Sequence, residues 1–354
     1  MKSIYGLFCV LFFLGSCVET DPDADSSNSE ADQTPIQKIT KSVTVYSHRH
    51  YDIDKEIFSA FEKETGIQVL VKEDKASKLI ELISQKKDAA DVLITVDVAR
   101  LEQAKNKNIL QSIQSDYIQS RVPSNFMDSD NMWFGLTKRY RVLAYSKERV
   151  DPLEIKGYTD LAKPKWKGKI AVRSSSNTYN QSLMASVIAH SDEQKAESWA
   201  KSVVANFSRS PKGNDRDQVK EVAAGRADIA IINTYYLGKL LNSENQQEVE
   251  AGKAVGLIFP DQEHAGAHVN ISGIGVCKNA PNKDNAIELI EYLLSDKVQE
   301  LYSAANYEYP IVKDIPVCDL LKSWGSFHED SIALERIGQL NTAALEVFAR
   351  AGWE

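Results

Sequence analysis

Two adjacent tyrosines, Tyr235 and Tyr236, follow an apolar run at residues 230–232 and precede a helical pattern. Neighbouring side chains on a regular strand point to opposite faces. Both hydroxyls can therefore reach one point only where the backbone turns from a strand into a helix. The alternative is that one ring packs in the core while the other faces solvent. In open α/β sheets this end of a strand is where ligands bind, so the pair is a candidate binding site.

Three more donor side chains follow predicted strands. His50 and Tyr51 come after the β-branched residues 43–47, and Tyr179 comes after a short apolar run at 170–172. Taken singly, each tyrosine is typical of a packing residue, and His50 is typical of a surface or capping histidine. His48 is the alternative to His50 as a ligand. Together with the tyrosine pair they predict a cluster of four phenols and one imidazole.

Such a cluster favours a hard metal cation. A free phenol has a pKa near 10, so a strongly acidic ion must displace its proton. Hard oxygen donors suit hard cations, and Fe³⁺ fits best. Four phenolates around Fe³⁺ leave one net negative charge, which Arg139 or Arg173 could balance from behind the ligands.

The surrounding elements predict two α/β lobes. Residues 43–97 alternate strand and helix patterns in the order β-α-β-α-β, which indicates a doubly wound sheet. Residues 133–137 and 142–145 read as two strands separated by a basic segment, 138–141, where the chain leaves the first lobe; it returns near 269–276. The predicted boundaries are 42–138 with 274–315 for lobe 1, and 139–273 with 316–354, including a helical tail, for lobe 2.

The first 40 residues predict a membrane-tethered lipoprotein. Residues 1–17 have Lys2 and an apolar core, and they end in Leu-Gly-Ser-Cys, which resembles a bacterial lipobox that places lipid on Cys17. An ordinary signal peptide with an incidental cysteine is the alternative. Residues 18–40 are acidic and poor in large apolar groups, as in a disordered tether.

Composition narrows the function classes. The net charge of −8, with no basic stripe, argues against a nucleic-acid partner. Signatures of zinc proteases, serine hydrolases and nucleotide-binding loops are missing from the sequence. The serines at 174–176 favour helix capping or an anion cradle, with catalysis as the alternative. Cys277 and Cys318 are left as either a disulfide or two free thiols.

Six segments of the chain resemble ferric-binding proteins of bacterial iron ABC transporters, the FbpA/FutA family, and most closely its cyanobacterial FutA branch. The likeness covers essentially all of 42–354. The segments are 46–52, 90–95, 164–168, 174–182, 233–236 and 306–310.

The resemblance implies a two-lobed type II periplasmic-binding-protein fold, a transferrin-like clamp with two crossing hinge strands. It places Arg139 near the metal, and it implies Fe³⁺ as the cargo, with Fe²⁺ as the alternative and no synergistic anion required. The implied metal ligands are His50, Tyr51, Tyr179, Tyr235 and Tyr236.

The resemblance also implies a non-enzymatic receptor of the cell envelope that passes iron to an ABC permease and its ATPase, and we expect a monomer. Two other functions stay open on the residues alone. One is a receptor for an organic cation such as a polyamine or thiamine, with the tyrosines as a stacking box. The other is an exported hydrolase that uses the serines at 174–176 or a metal-bound water.

Overall fold

The computed structural model describes residues 41–86 and 89–354. The predicted signal, lipobox and tether at 1–40 lie outside the described residues. The strands are β1 Ser42–Ser47, β2 Gln68–Glu73, β3 Val92–Thr95, β4 Phe134–Ser146, β5 Ile170–Ala171, β6 Ile229–Asn233, β7 Val255–Ile258, β8 Val269–Val276 and β9 Tyr309–Pro310. The helices are α1 Asp52–Thr65, α2 Ala76–Gln85, α3 Val98–Asn106, α4 Asp116–Arg121, α5 Thr178–Ala189, α6 Glu193–Val204, α7 Asp215–Ala223, α8 Thr234–Leu241, α9 Gln246–Lys253, α10 Lys283–Leu293, α11 Asp296–Asn306, α12 Asp319–Ser323, α13 Leu334–Gln339 and α14 Asn341–Ala351.

The first half of the sheet confirms the doubly wound prediction. Strands β2, β1 and β3 lie side by side in parallel, and α1 and α2 connect them. Every residue of β3 is buried, as expected for a strand covered on both faces. Strand β8 pairs antiparallel with β3 on one side and with β4 on the other, and so joins the two strands in the sheet.

Strand β4 joins the two halves of the sheet. Its first part pairs with β8, and its last part pairs with β6 and β7, so the order is β2-β1-β3-β8-β4-β6-β5. We call β2, β1, β3, β8, β9 and the first part of β4 the first half, and β5, β6, β7 and the last part of β4 the second half. Strand β8 begins where β4 passes from the first half to the second, and there Val269 pairs with Tyr140.

The predicted break at the basic segment 138–141 is wrong, because β4 runs through it as one strand of 13 residues. Arg139 and Arg141 are both fully buried, and since they are two residues apart they share a face. Each has a buried carboxylate partner: Arg139 lies 3.3 Å from Glu308, and Arg141 lies 2.9 Å from Asp215. Paired charges can be buried where lone ones cannot, so the strand continues.

The helical tail touches both halves. Helix α14 packs against α5 and α6, whereas α13 packs against α3 and α5. Cys277 is buried and Cys318 is partly buried, and both are free thiols. Across the stretches 41–86 and 89–354, no helix is long and apolar enough to cross a membrane.

Candidate metal centre

The structure brings the four predicted tyrosines together between the two halves of the sheet. The hydroxyl of Tyr51 donates a hydrogen bond to that of Tyr235 at 3.2 Å, and the ring centres of Tyr235 and Tyr236 are 4.1 Å apart. Tyr179 reaches the same place, since the guanidinium carbon of Arg139 lies 5.4 Å from its ring centre and 5.9 Å from that of Tyr235. We call these four residues the tyrosine cluster.

The junction of β6 and α8 positions Tyr235 and Tyr236. Strand β6 is buried throughout and ends at Asn233, and α8 begins at the next residue. The predicted turn from strand to helix is therefore confirmed. Strand β4 fixes this junction, because the backbone N–H of Tyr140 in β4 donates to Thr234 Oγ1 at 3.2 Å.

Tyr51 and Tyr179 also lie at helix N-termini. Tyr51 has extended backbone and occupies the N-cap position of α1. Tyr179 is in the first turn of α5, where Asn177 accepts a hydrogen bond from the backbone N–H of Asn180. The Arg173 carbonyl, just before that turn, accepts hydrogen bonds from Asn180 Nδ2 at 2.9 Å and from Trp353 Nε1 at 3.1 Å. Helix N-termini favour anionic oxygen, so the two phenolates would be stabilised there.

The two histidines lie in different surroundings. The His50 side chain is 51% exposed, and its Nδ1 lies 3.2 Å from Glu73 Oε2. The ring centre of His48 is 6.2 Å from that of His50. Burial, together with the charges of His50, Arg100 and Arg139, lowers the pKa of His48 to about 4. Among the described residues, no hydrogen bond joins either ring to the tyrosine cluster.

Tyr51, Tyr235 and Tyr236 keep their protons near neutral pH. Burial raises the pKa of Tyr51 and of Tyr235 well above the usual value, and the neighbouring Tyr179 raises both further. Burial likewise raises the pKa of Tyr236. A cation that binds here must therefore displace protons.

Positive groups surround the cluster. Arg139 donates to Ser272 and Glu308, and also to the carbonyl of Val96. The guanidinium carbon of Arg173 lies 5.9 Å from the ring centre of Tyr179. Both arginines named from the sequence thus lie beside the rings.

Two cationic neighbours of the cluster were missed by the sequence reasoning. Arg49 is 2% exposed, and its guanidinium carbon lies 4.6 Å from the ring centre of Tyr51. Lys239 places its Nζ 4.4 Å from the same ring centre and 5.5 Å from that of Tyr235. Helical spacing could have found Lys239, because it is one turn after Tyr235. Nothing in the local sequence indicates that Arg49 is buried.

In two other candidate sites, the polar groups already bond to a lysine or to each other. Glu102, Asp128 and Glu335 form a group that could hold a metal ion, but Lys105 already bonds to Asp128 and Glu335. In the serine segment 174–176, the hydroxyls of the first and third serines lie 3.0 Å apart and bond to each other.

The sequence matches the family described as "Bacterial extracellular solute-binding protein" over residues 87–324. It is similar to iron uptake protein A1 of Synechocystis sp., with 42% identity over 343 residues that cover 96% of this chain and 93% of the relative. The major ferric iron-binding protein of Neisseria meningitidis serogroup B is 26% identical over 273 residues, covering 76% of this chain and 80% of that protein.

Solved structures that are similar to this chain include proteins of the same kind. FutA (IdiA) of Trichodesmium, in complex with iron and citrate ligands, is similar with a TM-score of 0.85 and 46% identity, covering 88% of this chain and 100% of that one. The ferric binding protein of Campylobacter jejuni is similar with a TM-score of 0.85 and 40% identity, again covering 88% and 100%.

Proposed function

The chain belongs to the bacterial extracellular solute-binding proteins, and from this premise we propose that it is a receptor for ferric iron. The observation that carries the proposal is the convergence of four tyrosines between the two halves of the sheet, with Tyr51 bonded directly to Tyr235. Relatives whose names state iron uptake or ferric iron binding support it. The cargo would be Fe³⁺, bound by phenolate oxygens.

We propose His50 as the fifth ligand beside Tyr51, Tyr179, Tyr235 and Tyr236. A histidine that binds metal through one ring nitrogen commonly donates its other N–H to a carboxylate. His50 fits this pattern, since Glu73 engages its Nδ1 and leaves Nε2 for the metal. Its exposed ring can also turn towards an entering ion, whereas His48 is partly buried.

The charges of the site fit a complex of Fe³⁺ with four phenolates. That complex carries one net negative charge, and Arg139 lies beside the rings of Tyr179 and Tyr235. The arginine would balance the charge from behind the ligands. No synergistic anion is then needed to complete the site.

The receptor would work at the cell surface or in the periplasm. We propose that lipid on Cys17 and the tether at 18–40 hold it on a membrane as a monomer, and that it hands iron to an ABC permease and its ATPase. Its lobes would be 42–138 with 274–315 and 139–273 with 316–354. Opening of the clamp along the crossing strands would release the ion.

An organic cation fits the cluster less well than a metal ion. The rings of Tyr235 and Tyr236 pack at 4.1 Å, and those of Tyr51 and Tyr235 meet edge to face at 5.9 Å. The Lys239 amine already lies over Tyr51. The rings therefore already contact one another and a lysine. A stacking box for a polyamine or thiamine would instead leave ring faces free for the ligand.

The test is a titration of metal-free protein, residues 37–354, with a ferric chelate while the visible spectrum is recorded. We expect a phenolate-to-iron charge-transfer band that saturates at one equivalent. Tyr235→Phe and Tyr236→Phe should each weaken binding sharply while the fold is kept. Tyr145→Phe is the matched control, because that residue packs on the core and pairs with Ile229, at the end of β6 opposite to Tyr235. A wild-type protein without the band, or unchanged affinity in both cluster variants, would overturn the proposal.

A further inference from the structure

Glu308 lies at the centre of a buried ion network next to the tyrosine cluster. It is fully buried, in the short connection between α11 and β9. Its Oε1 accepts hydrogen bonds from Arg49 Nη1 at 3.2 Å, Thr137 Oγ1 at 2.9 Å and Arg139 Nη1 at 3.3 Å. Its Oε2 accepts from Arg49 Nη2 at 3.0 Å and Asn306 Nδ2 at 2.7 Å.

The two arginines that share this carboxylate serve opposite sides of the cluster. Arg49 lies against Tyr51, which follows β1 in the first half of the sheet. Arg139 lies against Tyr179 and Tyr235, which belong to the second half. Both arginines also donate to Ser272 Oγ at 2.6 Å, so their charged ends are close together.

Only Glu308 bonds both arginines through a carboxylate among the described residues. Asp54 bonds Arg49 but not Arg139. Although burial opposes the charged form, Arg49 and Arg139 hold the pKa of Glu308 below its usual value. Two buried guanidinium groups without a shared anion would repel each other, and an unpaired buried charge is strongly unfavourable.

We propose that Glu308 is a positioning residue for the metal site, an inference that rests on the proposed iron-binding function. Its carboxylate holds Arg49 against Tyr51 and Arg139 against Tyr179 and Tyr235, and so fixes the ligands of the two sides relative to each other. Because no hydrogen bond joins it to a tyrosine among the described residues, it acts through the arginines. Loss of its charge would let the arginines separate and move the phenols with them.

The effect should appear in iron binding more than in folding. Groups that orient metal ligands typically change metal affinity by about 10- to 100-fold when they are mutated. Glu308→Gln keeps the size of the side chain and removes its charge. We expect it to weaken Fe³⁺ binding by about that factor and to shift the maximum of the charge-transfer band, since the phenolates would meet the ion in altered geometry.

Asp228 offers a matched control. Its carboxylate also pairs with two cations, Arg149 at 2.7 Å and Lys169 at 3.1 Å. It lies just before β6, at the end of that strand opposite to Tyr235. Asp228→Asn should lower the thermal stability of the metal-free protein and leave both the iron affinity and the band unchanged.

The experiment compares wild type, Glu308→Gln, Glu308→Asp and Asp228→Asn by competition of ferric protein with citrate, with the band recorded in each. Glu308→Asp keeps the charge but is one methylene too short to reach both arginines. This variant should fold and lose less iron affinity than the glutamine variant. It provides the test if the glutamine variant does not fold. Wild-type affinity and band in the folded Glu308 variants would overturn this inference alone. A wild type without any band would overturn the proposed function, and this inference with it.

Discussion

At the scale of single residues, the tyrosine cluster depends on a balance between burial and nearby positive charge. Burial raises the pKa of Tyr51 and Tyr235, whereas Arg139 acts in the opposite direction on both. These two phenols are therefore neutral in the metal-free protein, and the positive groups around them would stabilise the phenolates once a cation has displaced the protons. A site of this kind would discriminate against weakly acidic metal ions, which cannot displace a phenolic proton.

The two histidines give a sharp prediction about the ligand set. His50→Ala should weaken Fe³⁺ binding by at least about tenfold, because the ring held by Glu73 would be lost. His48→Gln should have a smaller effect, since that ring is partly buried and its centre lies 6.2 Å from that of His50. Citrate competition and the visible spectrum measure both variants. Loss of binding in His48→Gln with wild-type behaviour in His50→Ala would show that the ligand is the other histidine.

The sequence predicts residues with a local signal and misses those defined by their partners. The tyrosines were found because each follows an apolar strand pattern at a point where the backbone must turn. Arg49 and Glu308 are 259 positions apart in the chain, and no spacing rule joins them. Their burial becomes visible only when the fold brings the loop after β1 and the loop before β9 to the same place.

At the scale of elements, β4 shows why a run of charged residues is a poor indicator of where a strand ends. Four polar or charged residues at 138–141 predict a break between strands. In the fold the side chains alternate: Arg139 and Arg141 lie among buried carboxylates, while Lys138 and Tyr140 bond to Glu329 on the other face. The strand is continuous because both faces provide partners, and both sets of partners come from distant parts of the chain.

The C-terminal tail braces the loop that carries Tyr179, and this can be tested. Trp353→Phe keeps most of the packing of a side chain that is 2% exposed but loses the hydrogen bond to the Arg173 carbonyl. We expect a loss of about 1 kcal/mol in the free energy of unfolding and faster release of iron. Urea unfolding and citrate competition measure the two effects.

Trp166→Phe is the control for this element. Trp166 is similarly buried, at 4% exposed, and its Nε1 has no hydrogen-bond partner among the described residues. The substitution removes no side-chain hydrogen bond within the described residues, so the rate of iron release should stay at the wild-type value. Equal rates in the two tryptophan variants would contradict a bracing role for the tail.

At the scale of the whole molecule, the described residues adopt a closed arrangement. Besides the hydrogen bond from Tyr51 to Tyr235, Ser182 in α5 donates to Asp97 at the start of α3 at 2.5 Å. Gln181 accepts from Arg100 across the same gap at 3.3 Å. Helix α13 packs on both α3 and α5. The two-lobed fold expected from the resemblance is confirmed by its structural relatives, and an ion bound by all four tyrosines would hold this arrangement closed.

Closure around iron should be coupled to release of protons. Since burial raises the pKa of Tyr51 and Tyr235, the metal-free protein holds protons that the iron-bound protein has lost. The state with fewer protons is favoured as pH rises, so the affinity for Fe³⁺ should increase with pH, by about a factor of ten per pH unit for each proton released.

A pH-stat titration of metal-free protein with ferric citrate counts these protons directly, after subtraction of a blank without protein. Tyr236→Phe should release one proton fewer than wild type, because one phenol can no longer ionise, whereas Tyr145→Phe should match wild type. An affinity that stays flat between about pH 6 and pH 8 would mean that the ion is bound by groups that need not lose a proton in that range, and not by phenols.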